Sequence, residues 1–146
     1  MGNYCRSPLA HAILEKKIAA QGLTDAIKVD SAGLGDWHAG SLPDSRTREN
    51  AATHNIAVTH RSRMIDDSDL ETCNVIFCMD QSILTELQAK IPEKYHSKCI
   101  LFRKYDSQSD SMDVPDPYYE GRFEEVFQII DRNCTILLKK MMANEL

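Results

Sequence analysis

The chain has no long hydrophobic run, no surplus of positive charge and no paired-cysteine motif, and each absence excludes a class of function. No apolar stretch approaches the roughly 20 residues that cross a bilayer, so no membrane association is expected. Lys and Arg number 17 against 22 Asp and Glu, a net charge of −5. That balance argues against a general nucleic-acid binder, which needs a basic face, but leaves room for one local anion pocket. The N-terminus lacks the charged-then-apolar pattern of a secretory signal, which makes the cytoplasm the expected compartment. The 5 cysteines include no CxxC pair and no Cys/His spacing of a zinc site.

What is present fits one globular α/β domain over residues 1–146. Cys73, Cys78 and Cys99 lie in apolar strand-like runs and Cys134 on a helical pattern, so core packing is their expected role. Cys5 differs, because it stands in a Gly-Asn loop beside Arg6. The pattern predicts a helix from Pro8 to about Ala20, capped by Ser7 and ended by Gly22. AIKVD, 26–30, reads as a short strand. A polar loop over 31–44 precedes a helix capped by Asp44 or Ser45 that runs to about His54. IAVTH, 56–60, reads as extended. Ser68 is the expected cap of a single turn before CNVIFCMD, 73–80, a buried strand. A helix over Gln81–Lys90, a strand over 98–102, a polar loop over 103–121 and a helix from Phe123 to Met142 complete the pattern. Strands alternating with helices imply a three-layer fold: a parallel sheet with helices on both faces and ligands at the carboxyl ends of the strands.

The first residues carry the chemistry. Gly2 and Asn3 tolerate positive φ, which lets successive amides turn toward one point. The helix that follows adds its positive end, and Arg6 adds a two-pronged donor suited to phosphate. From these residues alone two readings stay open, an oxyanion cradle or a plain turn beside a surface arginine.

GNYCRSP resembles the end of the C-[LM]-G-N-x-C-R-S-P signature of low-molecular-weight protein tyrosine phosphatases. The resemblance continues through DSAG at 30–33, Trp37, DSR at 44–46, HRSR at 60–63, VIFCMD at 75–80 and VPDPYY at 114–119. It implies a four-stranded parallel sheet and hydrolysis of phosphotyrosine proteins or small aryl phosphates through a phosphocysteine, with no cofactor or metal. By the same resemblance, Gly2, Asn3, Tyr4, Cys5, Arg6 and Ser7 form the phosphate-binding loop, with Arg6 as the clamp. Asp116, between Pro115 and Pro117, becomes the general acid and base; without the resemblance PDP is good turn chemistry. Asn3, Ser7, Ser31 and His60 would hold the loop in shape, and Trp37 and Tyr118 would wall the cleft. Cys5 would be a redox partner of the nucleophile, and Tyr118 and Tyr119 would be phosphorylation sites.

The signature also places its nucleophile. Counting six residues back from Arg6 lands one residue before Met1, and the apolar strand that delivers the sulfur would precede it. Cys5, next to Arg6 on the far arm of the loop, is not an equivalent. The expectation is therefore a domain truncated at its N-terminus, begun at an internal Met in the position after the nucleophile. Without the central strand, whose five or so aliphatic side chains contribute on the order of 8–15 kcal/mol gross, the sheet would be unstable or self-associate through exposed edges. Three functions compete: a tyrosine phosphatase inactive as this chain, a non-catalytic phosphotyrosine binder, and an arsenate reductase relative using Cys73 and Cys78.

Overall fold

A computed structural model describes residues 2–146, so the position assigned to Met1 lies outside the described residues. Leu9, Ile13, Leu14 and Ile18 recur at helical spacing and form the buried face of α1, Arg6–Ala20. The helix starts two residues before Pro8 and takes no side-chain cap. Proline is tolerated within the first turn because amides there have no intrahelical acceptor. Ser7 is thereby inside the helix, and its hydroxyl is free to turn back to Asn3. At the other end Gly22 is left-handed (φ +67°), and Leu23 N–H closes on Ile18 O at 3.0 Å, a Schellman-type stop.

Asp44 caps α2, Ser45–Ala52, through the Arg46 amide. The next helix, α3 (Asp67–Thr72), is capped by Asp66 rather than Ser68. Asp69 also reaches back to the Asp66 amide, closing a capping box that Ser68 is one turn position too late to make. The apolar run then yields β1, only Ile76–Cys78, followed by α4, Gln81–Lys90, capped by Asp80. A 3₁₀ turn over Glu93–Lys98 leads into β2, Cys99–Leu101. Asp116 caps the single turn α5, Pro117–Glu120, and α6 spans Phe123–Met142. Glu124 and Glu125 stand in the first turn of α6, Lys139 and Lys140 in its last, each matched to the helix dipole.

β1 and β2 pair in parallel with Phe77 opposite Ile100. Phe77, Met79 and Phe102 pack into the core made by α1 and α6, while Cys78 and Cys99 pack with Leu87 of α4 on the other face. Helices therefore cover both faces, the expected three layers. The strand at 26–30 does not form as a ladder: among the described residues no strand lies beside it, and only an isolated bridge, Gly33 to Met64, joins this region to another extended segment. A strand exists by its partner's hydrogen bonds, so alternation without a neighbour leaves plain extended chain. Likewise 73–80 and 98–102 shorten to three residues each, the length over which they face one another.

Candidate active site

Three loops meet at the carboxyl end of β1 and β2. Asp80 stands two residues past the end of β1, and Val114 N–H binds Met79 O at 2.8 Å, which brings the Val114–Tyr118 loop beside it. The chain before α1 arrives at the same edge. Residues Gly2 to Ser7, Trp37, His38, Asp116 and Tyr118 line a cleft of about 590 Å³ that runs on beneath the loop to Ile65 and the open edge of β1.

Asn3 organises the loop. It is left-handed (φ +57°), a conformation asparagine tolerates better than most residues. Its side chain is 2 % exposed and uses every valence. Nδ2 donates to Ser7 Oγ at 2.8 Å and Ser31 Oγ at 3.1 Å. Oδ1 accepts from His60 Nε2 at 3.0 Å and the Arg63 amide at 3.2 Å. The Ser62 hydroxyl donates to the Asn3 carbonyl. Asn3, Ser7, Ser31 and His60 are thus one hydrogen-bonded set. Gly2 lies against His38, whose ring would be 2.9 Å from any Cβ there. Among the described residues the amides of Tyr4, Cys5, Arg6 and Ser7 meet no protein acceptor. Four unpaired donors at a helix start form an anion seat.

Arg6 is buried, with its guanidinium held edge-on. Nη1 donates to Asp80 Oδ2 at 2.8 Å and to Val114 O at 2.7 Å, and Nη2 lies 3.6 Å from Asp116 Oδ2. Burial pushes the Asp80 carboxyl upward, but the Ile83 amide and Arg6 outweigh it and hold it below the usual carboxylate range. Asp116 Oδ1 accepts the Tyr118 amide at 3.1 Å, which orients the carboxyl between flanking prolines. The cleft walls are aromatic. Tyr4 stacks on His38 at 3.8 Å, and Tyr118 meets Tyr4 edge-on at 6.1 Å. Trp37 is 64 % exposed at the rim, and Tyr119 is exposed. Cys5 is buried, and that burial pushes its thiol up to about 12. It is a neutral thiol at physiological pH and a poor nucleophile.

Asp80, Ser62, Arg63 and the Val114 carbonyl also belong to this site; they fall within the VIFCMD, HRSR and VPDPYY stretches of the resemblance, which gives them no individual role. An Asp between an apolar strand and a helix is a readable cap, so Asp80 carried a signal; the carbonyl carried none. Beside the loop, His11, Asp30 and His60 bring their ligating atoms within 4.8 Å of one another, the cluster among the described residues with the makings of a cation site. His11 is held below the ordinary imidazole range, first by burial and then by His60.

A family model described as low molecular weight phosphotyrosine protein phosphatase matches residues 1–146. The low molecular weight protein-tyrosine-phosphatase YfkJ of Bacillus subtilis is 40 % identical over 146 residues, covering 99 % of this chain and 94 % of that protein. Its crystal structure superposes with a TM-score of 0.94 at 37 % identity over 100 % of this chain and 92 % of the other. A protein tyrosine phosphatase from Entamoeba histolytica, solved with Hepes in its active site, gives a TM-score of 0.93 at 34 % identity, over 100 % and 95 %.

Proposed function

This chain belongs to the low molecular weight phosphotyrosine protein phosphatase family, whose function is phosphotyrosine hydrolysis, and from that premise we propose how its residues divide the work. Arg6 and the amides of Tyr4 to Ser7 hold the three equatorial oxygens of the phosphoryl group. Asp116 protonates the departing phenolate and then takes a proton from the water that completes turnover. Tyr4, Tyr118 and Trp37 flank the phenyl ring of phosphotyrosine proteins or small aryl phosphates. The observation that carries this reading is the convergence of Arg6, four unpaired amides and Asp116 on one cleft.

The attacking sulfur is a separate matter. In the first step an S–P bond forms as the P–O(aryl) bond breaks; in the second, water displaces sulfur from phosphorus. Residues 1–146 contain no cysteine six positions before Arg6, and the buried, neutral Cys5 does not substitute. By themselves these residues are expected to bind phosphate esters without turning them over. Nor does the reductase reading gain support, since burial pushes the Cys78 thiol up to about 12, unsuited to a thiol relay. Five free cysteines support a reducing compartment such as the cytoplasm. Among the described residues β1 and β2 each have one unpaired edge, which is compatible with self-association.

The test compares p-nitrophenyl phosphate turnover by residues 1–146 with turnover by the same chain preceded by an apolar strand ending in cysteine. Turnover by the second alone is expected, and Asp116→Asn in it should lower kcat by about 10²–10⁴-fold. Turnover by residues 1–146 would overturn the assignment of the nucleophile, and its loss in Cys5→Ser would move that role to Cys5. An Asp116→Asn variant as fast as its parent would overturn the role of Asp116.

A further inference from the structure

Behind the phosphate loop, on the side away from the cleft, three side chains from separate segments face one another. They are His11 on α1, Asp30 on the extended stretch before Gly33, and His60. Asp30 Oδ1 lies 3.9 Å from His11 Nδ1 and 3.6 Å from His60 Nδ1, and the two rings stand 4.8 Å apart. Tetrahedral ligands about 2.0–2.2 Å from Zn²⁺ are separated by roughly 3.3–3.5 Å from one another. Both Asp30 pairs are within a few tenths of an ångström of that spacing, and the three ligating atoms all lie within 4.8 Å of one another, so closing the two imidazoles on one ion would complete three corners.

The hydrogen bonds fix which atoms are available. The Arg63 amide must donate, so the atom of Asn3 it meets is Oδ1. His60 must then present Nε2–H to that oxygen, which leaves Nδ1 directed at the Asp30 carboxylate. A lone pair aimed at a carboxylate oxygen leaves a place for a cation, a proton or a metal ion, between them. Ser31 Oγ accepts from Asn3, and its own hydrogen is free for His11 Nδ1 at 3.1 Å, so that nitrogen is an unprotonated acceptor that would exchange the Ser31 hydrogen bond for a metal bond. Arg63 binds Asp30 Oδ2 at 2.9 Å and the Ser31 amide binds Oδ1 at 2.8 Å. Together they set the carboxylate's orientation as outer-shell partners do at metal centres. The two histidine side chains are 13 % and 17 % exposed and Asp30 is 55 % exposed. An ion therefore has an entry path and the fourth position is open to water.

We propose that His11, Asp30 and His60 bind one divalent transition-metal ion of the Zn²⁺ type, in a site distinct from the phosphate cradle and joined to it through Asn3. Two imidazoles and one carboxylate suit zinc and its neighbours and not Ca²⁺ or Mg²⁺, which require oxygen ligands. Binding locks the His60 tautomer that donates to Asn3. It also draws His11 Nδ1 away from Ser31, so the ion acts directly on one of the four bonds that hold the Asn3 amide and, through Ser31, on a second.

The test is calorimetric titration of the full chain with ZnCl₂, with imidazole ¹⁵N spectra recorded alongside. One equivalent is expected, with signals of His11 and His60 shifted and those of His38, His54 and His96 unmoved. His11→Gln should weaken Zn²⁺ affinity by roughly tenfold or more, and Asp30→Asn should do the same, each with circular dichroism unchanged. If either variant misfolds, the other variant and the parent's spectra decide. No heat of binding at millimolar ZnCl₂, or binding that leaves His11 and His60 signals unshifted, overturns the proposal. So does an affinity unchanged in both variants, as ligation by cysteine would produce.

Discussion

Single side chains here do work that their residue types do not announce. Asp80 is one cap among several by sequence, yet it neutralises the buried Arg6 guanidinium and starts α4 with the same carboxylate. Asp80→Ala should cost about 3–5 kcal/mol, since it leaves the buried Arg6 guanidinium only the longer Asp116 contact and removes a cap, and a urea midpoint checks this. Asp106 is a second such residue. It is 6 % exposed and accepts from Arg132 at 2.7 Å and Asn133 at 3.0 Å. Burial pushes its carboxyl up, but Arg132, Asn133 and the Gln108 amide outweigh burial and bring it down to about 2. A carboxyl depressed on folding stabilises the native state above its unfolded value and ceases to do so as pH falls through the folded one. Its contribution, about 2 kcal/mol, should therefore be intact above pH ~4 and vanish toward pH ~2. Asp106→Asn should flatten that part of the stability profile measured by urea titration at each pH.

At the level of elements, local chemistry and long-range pairing were unequally legible. Helix α4 follows its sequence bounds through its Asp80 cap and α6 through its periodicity and terminal charges, all of them local signals. The capping box of α3 is likewise local, and Asp66→Ala should cost about 1 kcal/mol by urea denaturation, whereas Ser68→Ala should be close to neutral. Strands fared worse. Residues 26–30 alternate as a strand should, but alternation says nothing about whether a neighbour is at hand to receive the amides. The loop at the start of α1 shows the same division. Its type was readable from Gly2, Asn3 and Arg6 because positive φ and guanidinium geometry are properties of residues. The Arg63 amide and the Val114 carbonyl that brace it were hidden, since a backbone group has no identity in sequence, and the Ser62 hydroxyl was hidden because only the fold brings it to the Asn3 carbonyl. His11 was hidden for a related reason: on α1 it reads as a surface histidine, and only the fold sets it against His60.

Across the whole molecule, the cleft is a seam between distant parts of one chain. Asn3 reaches 57 residues to His60, and Arg6 reaches 74 to Asp80 and 108 to Val114. Contacts of that sequence separation form late, after the entropy of closing large loops has been overcome. The anion seat is consequently among the last features to appear as the chain folds. Its arginine clamp cannot be braced on a nascent chain until the Val114 loop has been synthesised and released. In a stopped-flow refolding experiment, recovery of phosphate binding should lag helical circular dichroism and coincide with the slowest spectroscopic phase. An anion bound there is then a report that refolding has gone to completion.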